Sequence, residues 1–427
     1  MSSRNSSIKW KPHSKHRKNK GTKKQKEGMD MPKFAQRMTD MEKTALVLRK
    51  LFNAMNDPET ISFGGGAPAH EGLPVETVQE LCNELMTRGG RGVEMLQYGA
   101  PMGVKDLRQA VADKLLKPKG IDASADDIMI VNGGLETMNL MCQLYISPGD
   151  VIIVESPTFV HCVEGFEMFQ AKCVAAECDD YGIVIEDVEK KIQEYNPKMV
   201  YVIPTFQNPT GKTLPEDRRK ALAELGSKYD VIILEDDPYQ ELRYSGDKLK
   251  PIKYFDKTGH TVYANSFSKI FSPGSRLGYV YAAPEIMDKL FNAKVATNSH
   301  TSNLPQVLCA EFFNRGYFEE HLKKVCAIHK ERRDVMMACM EKYMPAGTKW
   351  VFPDGGLFTW VELPGDIDTT ELLLEAEKYK VAYVAGEGFY TDPGKGKNCM
   401  RLSFGNVSPE KIEIGMERLG NLIKSKM

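Results

Sequence analysis

Residues 265–278 read NSFSKIFSPGSRLG and carry one lysine, Lys269, between serines and apolar residues, with Arg276 seven positions on. A surface lysine keeps charged company, whereas Phe267, Ile270 and Phe271 lead this one toward an interior. Desolvation penalises a buried ammonium, so its pKa falls from about 10.4 and the free amine becomes a nucleophile. Two further polar groups share its spacing: Asn208 in PTFQNPTG and Asp236 in LEDDPYQEL, with steps of 28 and 33 residues to Lys269. Each step is close to one strand–helix–strand unit, so on adjacent strands the three side chains converge at the carboxyl edge of a sheet.

An amine, a carboxylate and a carboxamide together suit an aldehyde-bearing aromatic cofactor. The amine condenses with the aldehyde, and the carboxylate keeps a pyridine nitrogen protonated so that the ring withdraws electrons. The Asn208 amide and the phenol of Tyr239, three residues past Asp236, can hold a ring hydroxyl. Pyridoxal phosphate meets each of these demands, and its phosphate needs an anion site. The run VNGGLETMNLM (131–141) passes from a strand end through two glycines into a helix, aiming the backbone N–H groups of Gly134 and Leu135 at an anion. Ser266, Ser268 and Arg276 add two hydroxyls and a cation, and Arg276 also discourages a second positive charge on Lys269.

The elements that must position these groups follow from the apolar pattern. Short β-branched or aromatic runs bounded by turn residues predict strands at Ile128–Val131, Val151–Val154, Met199–Ile203, Val231–Leu234, Thr261–Ala264 and Leu277–Ala282. Helical stretches alternate with them, among them Pro215–Tyr229, which opens on Pro-Glu-Asp. This alternation predicts an α/β fold with a mostly parallel sheet flanked by helices. Toward the C-terminus, long helices at Gln306–Arg315 and Phe318–Tyr343, strands around 355–363 and 400–404 and a last helix from Pro409 predict a smaller α+β domain. The expected organisation is a basic tail (1–28), an N-terminal segment packing with the small domain (29–75), a large cofactor-binding domain (76–305) and the small domain (306–427).

The bulk numbers are those of a globular chain: 427 residues, 42% hydrophobic and 27% charged, with a formal net charge of −1. Nine cysteines are scattered with no C-x-x-C pair, which argues against zinc ribbons, redox motifs and disulfide scaffolds and points to a reducing, cytoplasmic setting. No apolar run approaches the about 18 residues of a membrane span. Residues 1–28 hold ten Lys/Arg against Glu27 alone. Such a tail could touch nucleic acid or anionic lipid, but it is too poor in apolar residues to fold by itself, and it reads as a disordered extension or as the product of an upstream start codon, with Met29, Met31 or Met38 as later candidates.

The strings NPTG, EDDPY and SFSKIFSPGSRLGY, in this order and spacing, resemble the class I/II aminotransferases of the type I pyridoxal-phosphate fold, nearest to the aminoadipate/kynurenine branch. The resemblance runs from about Phe34 to the C-terminus. It implies that Lys269 is the lysine that binds the cofactor aldehyde, Asp236 the pyridinium partner, and Asn208 and Tyr239 the contacts to the ring oxygen. It further implies that Phe159, in ESPTF, stacks on the ring, and that Tyr98, in QYGAPMG, reaches the phosphate of a neighbouring subunit in a homodimer. Arg401, in CMRLSFG, matches the arginine that grips the substrate α-carboxylate, a task suited to a planar guanidinium. Gly65, in SFGGGAP, matches a glycine lining the substrate site, with Gly64 and Gly66 as alternatives. Many relatives carry Ser-Gln in the phosphate loop where this chain has Gly134-Leu135, so a hydroxyl contact is lost and the backbone role remains.

The expected reaction is a ping-pong transamination between an L-amino acid and a 2-oxo acid, with 2-oxoglutarate as the expected acceptor. A pyridoxal-phosphate lyase would share Lys269 and Asp236. A transcription regulator with an aminotransferase-like domain needs a folded helix-turn-helix module that 28 polar residues do not make. For Asp236 and Asp237 the competing role is a helix N-cap pair, Asp237 being read as that cap and Asp236 as the cofactor's partner. For Arg49 a grip on a second substrate carboxylate competes with a solvated helix face. Borohydride reduction of the cofactor-loaded protein, followed by peptide mapping, should place the label on Lys269; a label elsewhere would refute the reading of this segment.

Overall fold

Every residue of Ile128–Val131 is buried, and the strand period of two divides them: Ile128 and Ile130 enter one apolar cluster, Met129 and Val131 another. The same division recurs at Met199–Val202, where Met199 and Tyr201 face one way and Val200 and Val202 the other. Strands buried on both faces belong at the centre of a three-layer fold. The structure, a computed structural model, describes residues 34, 35, 37, 38 and 59–427; the 1–28 tail and Arg49 lie outside the described residues.

The central sheet has seven strands in the order Ile128–Val131, Gly278–Tyr281, Thr261–Ser266, Ile232–Asp236, Met199–Val202, Val151–Glu155 and Lys172–Ala176. Gly278–Tyr281 runs antiparallel to both neighbours, and the remaining pairs are parallel. The six strands expected from the sequence are present within a residue or two at their ends. Lys172–Ala176 was not anticipated: it is an edge strand, paired on one side only, and its sequence KCVAA has a single β-branched residue. The chain passes from Val151–Glu155 outward to this edge and then crosses to Met199–Val202 on the other side. That reversal opens a crevice at the carboxyl ends of the strands, where α/β folds hold ligands.

The C-terminal elements build a second layer. Lys349–Trp350, Phe358–Glu362, Cys399–Ser403 and Val384–Ala385 form an antiparallel sheet, backed by the helix Pro409–Lys424, which Ser408 caps. Ile61–Ser62 pairs in parallel with Val381–Ala382, and Ile61 and Phe63 join the core of this layer. The 27-residue helix Tyr317–Tyr343 ties the layers together, with Phe318 in a core of the large sheet and Met336, Met337 and Met340 in the core of the second layer. Among the described residues no helix is long and apolar enough to cross a membrane.

Ile153 is fully buried between two parallel neighbours. Its truncation in Ile153→Ala should cost about 2–5 kcal/mol of stability, read as a lower urea midpoint at unchanged slope.

Candidate active site

Asp236 and Ser266 are the last residues of two adjacent parallel strands, so their side chains leave the sheet side by side. After Ser266 the backbone makes one short 3₁₀ turn, Phe267–Lys269, stabilised by the Ser268 N–H donating to Ser266 Oγ at 3.2 Å. The Ser268 hydroxyl lies 2.9 Å from that of Ser266. This turn carries Lys269 over the crevice, where its Nζ donates to the Gly66 carbonyl at 2.7 Å. Burial draws its pKa down to about 8, with smaller contributions from the Arg401 and Arg276 guanidinium groups. Desolvation and Arg276 were both expected from the sequence; Arg401, far away in sequence, was not, and it ranks ahead of Arg276.

Gly134 opens the helix Gly134–Tyr145 directly above these groups. A Cβ at Gly134 would lie 3.8 Å from Asp236 Oδ1 and 4.0 Å from Ser266 Cβ. Gly133 has φ of 79°, and a Cβ there would meet Arg276 Nη2 at 2.6 Å, so only glycine lets the guanidinium approach the helix end. Helix N-terminus, two hydroxyls and a guanidinium thus converge on one cradle, while the Leu135 side chain is exposed. Asp236 Oδ2 accepts from the Tyr201 phenol at 2.9 Å, and burial lifts the Asp236 pKa to about 7. Asp237 caps no helix: a turn follows it, and its carboxylate accepts from Tyr263 at 2.9 Å instead.

Arg401 comes from the second layer. Met400 and Leu402 point into that layer's core, so strand alternation turns Arg401 toward the large sheet. Its Nη1 donates to Asn208 Oδ1 at 2.8 Å and its Nη2 to the Gly64 carbonyl at 2.6 Å, while Nε has no partner among the described residues. The guanidinium lies 4.4 Å from the Phe358 ring centre and 5.1 Å from that of Phe389. Burial lowers its pKa to about 10, opposed by Tyr239. Tyr239 is buried, edge-on to Phe358 at 5.8 Å, and burial pushes its phenol pKa up.

Gly65 lies between the two carbonyls that hold Arg401 and Lys269. Phe159 is half-buried at the start of the helix Val160–Met168. Tyr98 stands apart, 87% exposed, with its ring edge-on to that of His300 at 5.8 Å. Sequence reasoning missed Tyr201, Phe358 and Phe389. Tyr201 sits in the run MVYV, where periodicity marks a buried strand but not which face meets the crevice.

The unpartnered Arg401 Nε, the inward Asp236 Oδ1, the deprotonation-prone Lys269 and the glycine cradle leave matched places for a carboxylate, a pyridinium, an aldehyde and a phosphate. The residues present therefore fit pyridoxal phosphate and an amino-acid substrate. With a mostly parallel sheet behind them, they define a pyridoxal-phosphate enzyme of the type I fold. Residues 58–419 match the family model described as aminotransferase class I and II, and the chain belongs to that family. It is 40% identical over 385 residues to aromatic-amino-acid aminotransferase 1 of Thermococcus litoralis, covering 89% of this chain and 92% of that one. The crystal structure of Pyrococcus horikoshii kynurenine aminotransferase, in complex with PMP, KYN and KYA, aligns at 38% identity and a TM-score of 0.87, covering 92% of this chain and 97% of that one. The alpha-aminoadipate aminotransferase of Thermus thermophilus, complexed with N-(5'-phosphopyridoxyl)-L-leucine, aligns at 28% identity and a TM-score of 0.82, covering 91% and 98%. The protein is a pyridoxal-phosphate-dependent aminotransferase.

Only the neutral amine is nucleophilic. The rate at which cofactor-free protein takes up pyridoxal phosphate should therefore rise with pH and level off above about 8, followed by stopped-flow absorbance. A rate flat from pH 6 to 9 would contradict the depressed lysine.

Proposed function

We propose that this aminotransferase acts on aromatic or comparably large L-amino acids, passes the amino group to 2-oxoglutarate, and works as a cytoplasmic homodimer. The observation that carries the substrate reading is the setting of Arg401. Its guanidinium has an unused donor and is bracketed by Phe358 and Phe389, so the wall beside the carboxylate grip is aromatic. The relatives named for aromatic amino acids and kynurenine support the same reading. The exposed stretch holding Val93, Leu96 and Tyr98 supports a covering subunit, with Tyr98 reaching the neighbouring phosphate. Nine free thiols and no disulfide support a reducing compartment.

Pyridoxal phosphate, when bound, supplies the aldehyde that takes up the amino group and the ring that spreads negative charge from the substrate Cα. In this reading Gly134 and Leu135 N–H, Ser266, Ser268 and Arg276 hold the phosphate. Asp236 Oδ1 keeps a proton on the pyridine nitrogen, Phe159 covers the ring face, and Asn208 and Tyr239 hold the ring oxygen. Asn208 suits this task because its Oδ1 is already taken by Arg401, leaving its Nδ2 to donate. Arg401 orients the substrate carboxylate with Gly65 alongside, and the Lys269 amine removes the proton from Cα. Release of the 2-oxo acid and entry of a second one complete the ping-pong cycle.

A half-reaction screen tests the substrate choice: each amino acid is added alone to loaded enzyme and the loss of the cofactor's absorbance band is followed. Phenylalanine, tyrosine and kynurenine should react with the highest kcat/KM, and 2-oxoglutarate should restore the band. Faster reaction with 2-aminoadipate or leucine would replace the aromatic reading; release of ammonia without amino transfer would establish lyase chemistry instead.

A further inference from the structure

Tyr201 is fully buried, and its phenol donates to Asp236 Oδ2 at 2.9 Å. The ring is clamped: Phe166 meets it at 5.4 Å and an interplanar angle of 76°, and the Cys162 thiol borders its oxygen. No other side chain among the described residues hydrogen-bonds the Asp236 carboxylate, whose terminal torsion is by nature broad and two-fold. The oxygen that Tyr201 leaves free, Oδ1, lies 3.8 Å from where a Cβ on Gly134 would stand, on the side of the crevice. Asp237 shows the same device on the opposite face, held by Tyr263, so the two neighbouring carboxylates are each fixed by a tyrosine from an adjacent strand.

We propose that Tyr201 is a positioning residue for the cofactor: by holding Oδ2 it locks the carboxylate plane so that Oδ1 meets the pyridinium nitrogen. This rests on the reading of Asp236 as the pyridinium partner. Because the phenol donates to the charged form of Asp236, it also limits that carboxylate's basicity. The other titratable groups that feel Asp236 are Glu155, Cys162, Asp237 and Tyr239.

Tyr201→Phe removes one oxygen and keeps the ring against Phe166. Pyridoxal phosphate should bind cofactor-free variant about tenfold or more weakly, as expected for a lost hydrogen bond to a charged group, measured by equilibrium dialysis. The pH midpoint at which affinity is lost on acidification should move up, since the carboxylate has lost a donor. In an Asp236→Ala background the same change should alter affinity less than twofold, because the phenol then has nothing to orient; additive losses would overturn the proposal. Where Tyr201→Phe does not fold, 3-fluorotyrosine in place of Tyr201 keeps the shape and strengthens the donor, and the midpoint should move down; an unmoved midpoint overturns it. Wild-type affinity in Asp236→Ala would instead remove the assignment of Asp236 itself, whereas weakened Asp236→Ala beside unaffected Tyr201→Phe removes only the role of Tyr201.

Discussion

The site is organised by the crowding of positive charge around one buried amine. Lys269 shares its crevice with Arg401 and Arg276, and desolvation already favours its neutral form. An ammonium there would face burial and two like charges at once, which is why the amine is available for chemistry near neutral pH. The acceptor it does find is a backbone carbonyl, that of Gly66, which holds the amine without supplying a counter-charge.

That arrangement depends on the segment Gly64–Gly66. The Gly64 carbonyl takes Arg401 and the Gly66 carbonyl takes Lys269, so one short stretch of chain fixes a residue from each layer. Gly66 is also close-packed: a Cβ there would approach Phe358 at 3.0 Å. Glycines at this point let backbone, rather than side chains, serve as the hydrogen-bonding surface. The negative counterpart lies across the crevice, where burial raises Asp236 to about 7, and a pyridinium beside it would favour the charged carboxylate.

The motifs around Lys269, Asp236 and Asn208 were legible because each lies at or shortly beyond the end of a strongly signalled strand. The α/β class was legible for the same reason, since strands buried on both faces leave continuous apolar runs. The weak edge strand Lys172–Ala176 left no such signal. Tyr201, Phe358 and Phe389 were illegible for a different reason: each looks like ordinary core, and aromatic residues usually are.

What the sequence determined, then, is local: the element pattern, the lysine in its apolar turn, the glycines before a helix, and a resemblance to one enzyme family. What tertiary structure alone decided is which face of each strand meets the crevice and which distant groups share it. Arg401 and Asn208 are 193 positions apart yet bonded at 2.8 Å, and Lys269 and Gly66 are 203 apart yet bonded at 2.7 Å. Neither contact carries a periodicity or a spacing rule. Both exist because two layers pack with their strand ends together, and burial then shifts the pKa of Lys269 and Arg401 down and that of Asp236 up.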